Sequence, residues 1–350
     1  MAALPLDPRQ DQLKAWVSGL APDWSIDPES CVPASADASF RRYFRLRTDN
    51  PAHPTVIAMD APPAREDCRP FIHVAALFGE AGVTVPTVLA QDLSQGFLLL
   101  ADLGNTTYLS KLDITTARTL YGDAAAALVK IQAATRPGAL PAYDRELLQR
   151  ELDLFPQWYV ARHLGVELNA GQQADLAEVM QTLLANNLAQ PQVYVHRDYH
   201  SRNLMVLDGE DGSGNPGNPG ILDFQDAVIG PITYDAVSLW RDAYIEWDEE
   251  LQLDWLIRYW ERARKAGLPV AGDFGEFYRD FEWMGLQRHL KVLGIFARLY
   301  HRDGKDGYLA NMPLVLKYAR AVAGRYGELR KLVRLFDTLE GVERPAGYTF

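Results

Sequence analysis

The stretch Val195-His196-Arg197-Asp198-Tyr199-His200-Ser201-Arg202-Asn203, followed downstream by Ile221-Leu222-Asp223-Phe224-Gln225, decides how this chain is read. The first segment has the spacing H-R-D-x-x-x-x-N, and the second is D-F at the end of a short apolar run. Together they supply two acids and an amide in the order that phosphoryl transfer uses. Asp198 can orient an attacking hydroxyl and take its proton. Asn203 and Asp223 are hard oxygen donors suited to a Mg²⁺ that bridges nucleotide phosphates. H-x-D alone is common, but Asn203 and an independent Asp-Phe after a strand-like run make a chance match a poor account. The competing reading is a buried His196–Asp198 pair with a purely structural role.

Working outward, Val193-Tyr194-Val195 reads as a strand entering the loop and Leu204-Met205-Val206-Leu207 as the strand leaving it. Gly220-Ile221-Leu222 pairs back and delivers Asp223 beside Asn203. The far end of this hairpin, Gly209 to Pro219, is a Gly/Asn/Pro-rich turn, read as a tolerated insertion carried away from the chemistry.

Further stretches carry a family resemblance. They are Ala38-Ser39-Phe40-Arg41-Arg42-Tyr43-Phe44-Arg45-Leu46, Met59-Asp60-Ala61-Pro62-Pro63, Leu99-Leu100-Ala101-Asp102-Leu103-Gly104, and Gly285-Leu286-Gln287-Arg288-His289-Leu290-Lys291-Val292-Leu293-Gly294-Ile295-Phe296. With the two motif segments, they make the chain resemble the aminoglycoside-phosphotransferase-like kinases from about Cys31 to about Leu299. Within that group it is most similar to the anomeric kinases that act on N-acetylmuramate and N-acetylglucosamine at C1 in cell-wall recycling. The resemblance implies an α+β, protein-kinase-like bilobal fold: a small strand-rich N-lobe over 1–103, with a hinge at 100–103, and a larger helical C-lobe over 104–350. It further implies ATP and Mg²⁺ as cofactors, an adenine edge met by the backbone around Ala101 and Leu103, and an active site in the cleft between lobes. Ser39 falls in the turn 35–39 that would cover the phosphates, although that turn has no glycine.

Composition agrees. A chain of 350 residues with 48% hydrophobic content can bury the cores of two lobes. A net charge of −11 argues against a nucleic-acid binder. No apolar run is long enough to span a bilayer, and the N-terminus lacks a basic-then-apolar secretory pattern. Cys31 and Cys68 have no metal-ligand spacing. The expectation is a cytoplasmic enzyme with a small-molecule amino-sugar substrate, no nucleic acid, no membrane and no evident obligate protein partner.

Periodicity predicts a leading helix over 11–20 and strands over 40–46, 55–59, 87–90 and 97–100, interrupted by a helix over 69–81. Beyond Gly104, helices are predicted over 115–133, 144–163, 171–187, 234–244, 248–266, 274–300 and 314–326. Sheet, helix, sheet, then helices is the order of a kinase fold.

The pattern departs from a typical kinase in one place. Met59 stands where the third strand would carry the phosphate-binding lysine, and the partner glutamate on the helix falls near Phe71. The only lysine before Lys111 is Lys14. Either the chain binds nucleotide without turnover, or an arginine of Phe40-Arg41-Arg42-Tyr43-Phe44-Arg45 does the phosphate work. Strand alternation puts Arg42 on the face shared by Phe40 and Phe44, which makes it the first candidate and Arg45 the second. Asp223-Phe224-Gln225 lacks a final glycine, only eleven residues separate Asp223 from Asp235, and no A-P-E follows. These features argue against a protein kinase with a long activation segment. Asp235 is read as a structural brace at a helix start.

Two clusters compete for the acceptor. Trp240, Arg241, Asp242, Tyr244, Glu246, Trp247, Asp248, Glu249 and Glu250 combine acids and aromatics, which suits a cationic ligand such as an aminoglycoside or choline. Arg288 and Lys291, neighbours at i, i+3 on a helix, suit the carboxylate of N-acetylmuramate, with His200 as a further contact to sugar or phosphate. The resemblance favours the amino sugar. A metal-dependent hydrolase built on His196 and Asp198 lacks a second histidine at metal-ligand spacing.

Overall fold

A computed structural model describes residues 7–36, 40–207 and 217–342. In chain order the elements are α1 (Pro8–Trp24), β1 (Ile26–Ala36), β2 (Arg42–Thr48), β3 (Thr55–Asp60), α2 (Cys68–Glu80), β4 (Val88–Asp92), β5 (Phe97–Ala101), α3 (Tyr108–Lys111), α4 (Ala117–Ala133), α5 (Arg145–Leu152), a π-helical turn (Phe155–His163) and α6 (Ala170–Ala189). There follow β6 (Gln192–Val195), β7 (Leu204–Met205), β8 (Gly220–Ile221), β9 (Val228–Pro231), α7 (Tyr234–Trp240), α8 (Glu249–Lys265), α9 (Phe274–Asp303), α10 (Met312–Arg325) and α11 (Arg330–Leu339). The chain folds as two compact units: residues 1–108 with 203–226, and residues 109–202 with 227–350. Ser39 and most of the turn at 209–219 lie outside the described residues.

The first unit is built on an antiparallel sheet in the order β1-β2-β3-β5-β4. β5 pairs on both sides and buries Phe97 to Leu100 completely or nearly so, which is why it reads as an unbroken apolar run. β1 was not predicted. Pro28 and Pro33 argue against a strand, but β1 is an edge strand with register shifts between Asp27 and Val32 and between Pro33 and Ser35. An edge strand tolerates missing donors. α1 closes one face, packing Leu13 and Val17 on Phe44, Leu46, Val56, Phe97 and Leu99. α2 turns Phe71, Val74, Leu77 and Phe78 inward. The predicted hairpin forms, with Leu204 opposite Ile221 and Met205 opposite Gly220. It is stitched to the rest of its unit by Ile221 N–H to Thr84 O (2.8 Å) and Val206 N–H to Thr106 O (2.8 Å).

The second unit is helical around α9, buried on nearly every side from Phe281 to Gly294. A two-stranded ribbon joins β6 to β9, with Val195 opposite Val228. The helix predicted over 144–163 is broken: α5 ends at Leu152 and a π-helical turn follows. Pro156 at its start has no N–H to continue α-helical bonding. β9 and α11 were not predicted.

Candidate active site

β6 runs buried into the loop that begins at His196. The loop is tied at successive points within the helical unit. The Asp235 carboxylate, in the first turn of α7, accepts the backbone N–H of His196 (2.6 Å) and of Arg197 (3.0 Å). Arg197 has a left-handed backbone (φ 77°), a conformation that costs a non-glycine residue free energy and needs such a brace. His196 is wholly buried and its Nδ1 accepts the Asp198 N–H (3.2 Å). Tyr199 donates its hydroxyl to Ala124 O (2.8 Å), and the Ser201 N–H reaches Asp242 (3.0 Å). Asp198 therefore sits in a loop whose course is fixed on both sides.

Electrostatics fix its charge state. Burial pushes the Asp198 carboxyl upward, but Lys291, His200, Arg288 and Arg197 outweigh it and hold the group below the usual aspartate range. It is ionised at neutral pH, as a proton acceptor must be. Asp235 behaves oppositely: burial and the nearby Asp198 charge raise it to about 7 despite its two backbone donors. Arg197 is held from the other side by Glu151 on α5 (2.5 Å), and Glu151 also binds Lys291 (3.0 Å) and the Tyr143 hydroxyl. Lys291 donates to the Tyr234 hydroxyl as well (2.9 Å). Arg288 and Lys291 are both buried, so they do not form an exposed basic helix face. Arg288 keeps its Nε and Nη1 without hydrogen-bond partners, and His200 is buried with Nδ1 unpartnered. Burial holds the His200 ring below the ordinary histidine range.

In the sheet unit, the Leu222 N–H bonds to Asn203 O (2.9 Å), which sets Asp223 beside Asn203. The Asn203 amide nitrogen lies 3.4 Å from an Asp223 carboxylate oxygen. Asp223 has a left-handed backbone (φ 61°), and Gln225 Nε2 donates to its other oxygen (2.9 Å). Phe224 turns inward between Phe71 (4.8 Å between ring centroids) and Phe78 (6.0 Å), locking the segment. One carboxylate and one amide oxygen are a donor set for Mg²⁺, which keeps several ligands for phosphate and water. No group of three or more His, Cys, Asp or Glu able to cage a metal occurs among the described residues.

The remaining predicted residues fall as follows. Met59 is fully buried opposite Tyr43, and Phe71 is buried, so neither position of the usual lysine–glutamate pair carries charge. Arg42 is ion-paired with Asp60 (2.6 Å) and with Asp7. Arg45 pairs with Asp102 (2.5 Å), which also accepts from Thr55 (2.8 Å) and Gly104 N–H (2.9 Å). Arg41, passed over in the sequence, approaches Asp223 at 4.0 Å with its side chain only 10% exposed. Ala101 ends β5 opposite Val56, with its N–H on Thr87 O (2.9 Å). In the acidic–aromatic cluster most charges are met internally: Asp242 by Ser201, Glu246 by Lys317, and Glu249 by Arg325 and Tyr278. Glu151 was missed altogether, since nothing local marks a carboxylate whose partners come from the loop after β6 and from α9.

Residues 30–268 match the model of the phosphotransferase enzyme family. A curated relative from Neisseria meningitidis serogroup B, named N-acetylmuramate/N-acetylglucosamine kinase, is 50% identical over 347 residues, covering 98% of this chain and 99% of that one. Solved structures with similar folds include choline kinase LicA from Streptococcus pneumoniae (TM-score 0.60, 12% identity, 89% of this chain and 99% of that one). Another is the ADP-bound aminoglycoside phosphotransferase APH(2'')-Ib (TM-score 0.52, 13% identity, 87% and 95%). At such identities the likeness speaks for the fold, which is α+β and protein-kinase-like.

Proposed function

Because this chain belongs to the phosphotransferase enzyme family and is thereby an enzyme that phosphorylates a hydroxyl, we propose that it transfers the γ-phosphoryl group of ATP to the anomeric hydroxyl of N-acetylmuramate and N-acetylglucosamine. The product is a sugar 1-phosphate, made in the cytoplasm during salvage of cell-wall amino sugars. The observation that carries this reading is an ionised Asp198 on a loop braced by Asp235, Ala124 and Asp242. The relative from Neisseria supports the choice of sugar.

In this reaction the bond between the sugar O1 and the γ-phosphorus forms and the bond from that phosphorus to the β,γ-bridging oxygen breaks. The hydroxyl proton passes to Asp198 and ADP leaves. A hemiacetal hydroxyl is more acidic than an ordinary alcohol, so a carboxylate suffices as base. Positioning and charge neutralisation carry most of the acceleration. Asn203 and Asp223 would hold a magnesium ion, which neutralises the donor phosphates when bound. The backbone from Ala101 to Leu103 meets the adenine edge. An arginine supplies the contact that the missing lysine would make. The pairing of Arg42 with Asp60 and Asp7 favours Arg41, beside Asp223, for that part. His200 and Arg288 approach the acceptor, while Lys291 acts through Glu151 and so fixes Arg197.

The test is incubation with Mg·ATP and, separately, N-acetylmuramate, N-acetylglucosamine, kanamycin and choline, followed by ³¹P NMR. Sugar 1-phosphate from the amino sugars is the expected result. Phosphate on kanamycin or choline instead would return the acceptor to the acidic–aromatic cluster. ATP binding without any product would make the absent lysine–glutamate pair decisive and the protein non-catalytic.

A further inference from the structure

Arg202 directly precedes Asn203 and follows Asp198 by four positions, yet nothing in the reaction above uses it. It is exposed, but aromatic rings define where it lies. Its guanidinium carbon is 4.5 Å from the centroid of the Tyr244 ring and 5.8 Å from that of Tyr308. Those rings are themselves backed: Tyr244 by His200 (5.3 Å) and Phe296 (6.3 Å), Tyr308 by Phe296 (5.2 Å). The Tyr244 N–H binds one oxygen of Asp242 (3.1 Å), and the other oxygen of Asp242 takes the Ser201 N–H. The platform and the catalytic loop thus share one anchor.

Arg202 combines a place in the loop of Asp198 with the lack of a counter-charge. Arg197, Arg241 and Arg325 each hold a carboxylate of the helical unit. Arg202 has no ion pair among the described residues; Tyr244 meets it both through its ring and through a side-chain hydrogen bond. A guanidinium carries five N–H donors, so with one engaged by Tyr244 an edge is left that can receive a carboxylate with two parallel hydrogen bonds. Arg288 is the other basic candidate on this unit, but it lies in the field of Asp198 and Asp235, which already offset its charge.

We propose that Arg202, resting on Tyr244 and Tyr308, binds the carboxylate of a carboxylate-bearing amino sugar. It thereby makes the enzyme prefer N-acetylmuramate over N-acetylglucosamine, which has no such group. This inference rests on the amino-sugar reading given above. It leaves to Asp198 the chemistry common to both sugars and gives Arg202 only the discrimination between them.

The experiment measures kcat/KM for both sugars with the full chain and with Arg202→Gln, Arg202→Lys and Arg288→Gln. A charge-assisted contact to a carboxylate corresponds to a change of about 10- to 100-fold. The ratio of N-acetylmuramate to N-acetylglucosamine should fall by that factor in Arg202→Gln, through KM for the acidic sugar, and recover in part in Arg202→Lys. Equal losses on both sugars, or an unchanged ratio, would overturn the assignment. So would a fall of the ratio in Arg288→Gln without one in Arg202→Gln, which moves the carboxylate to the buried helix. A wild-type protein that phosphorylates neither sugar would instead overturn the amino-sugar reading and this inference with it.

Discussion

At the residue scale, the candidate site comprises a few side chains whose charge states their neighbours set. Asp198 is ionised because surrounding cations outweigh its burial. Replacing it by alanine should lower turnover by at least ~100-fold, the range typical of losing a general base, while nucleotide affinity persists. Parallel assays of product formation and ATP binding check this, and loss of ATP binding in a folded Asp198→Ala protein would contradict it. A second residue-scale prediction concerns His289 on α9, wholly buried against Tyr318 with Nε2 on Arg241 O (3.2 Å). Burial holds this imidazole down to about 3. The unfolded chain would protonate it near the ordinary histidine value, so the unfolded state takes up a proton below about pH 6.5 that the folded state refuses. Stability associated with neutral His289 is complete above that pH and falls on acidification by up to ~1.4 kcal/mol per pH unit. Urea unfolding of His289→Gln between pH 7 and pH 5 should show a shallower fall than the parent, because glutamine keeps a donor for Arg241 O without titrating. Parallel slopes for the two proteins would refute the prediction. Asp198, Asn203 and Asp223 were legible as candidates because they stand at a fixed spacing in the chain. The burial of Arg288 and Lys291 was not legible, because spacing on a helix says which residues are neighbours but not what covers them. Glu151 and Arg202 were missed because their partners, Arg197 and Lys291 for one and Tyr244 and Tyr308 for the other, are chosen by packing over long separations.

At the element scale, α9 shows how closely this chain packs. Its Gly294 faces the backbone of Leu154 so tightly that a Cβ would lie 2.4 Å from the Leu154 carbonyl carbon. Gly294→Ala must push the segment at Leu154 away, and overpacking of this kind costs about 1–3 kcal/mol. Gly285→Ala on the same helix is the control, since its Cβ would meet Val237 at an ordinary 3.5 Å. Denaturant midpoints should fall clearly in the first variant and change far less in the second. Comparable midpoints for the two would show that the Leu154 segment yields freely. Strand and helix positions elsewhere were readable wherever one rule dominated, as in the apolar run of β5. They failed where two rules conflicted: Pro28 and Pro33 forbade a strand that an edge position permits, and continuous helical spacing over 144–163 hid the break at Pro156.

At the scale of the whole molecule, the sheet unit is assembled from two separate stretches of chain. Residues up to Tyr108 supply the sheet and α2, but Ile221 and Phe224, which pack or bond against Thr84, Phe71 and Phe78, arrive only after the catalytic loop has been made. A fragment of residues 1–108 should therefore lack a cooperative unfolding transition, because Phe71 and Phe78 lose the ring that fills the space between them. Circular dichroism melting of that fragment against the full chain tests this, and a sharp transition in the fragment would show that the sheet stands alone. No helix among the described residues is long and apolar enough to cross a membrane.

The partner of Arg197 has one more consequence. Where loop arginines in related folds wait for a phosphate to be attached by another enzyme, the loop is an instrument of signalling. Here the counter-charge is Glu151, a side chain encoded in the same polypeptide and out of reach of solvent. Nothing has to be added to brace this loop and nothing can be removed to release it. The brace is set when the helical unit folds, by a carboxylate of α5 that also holds Lys291 of α9, so loop and core are ordered by the same event.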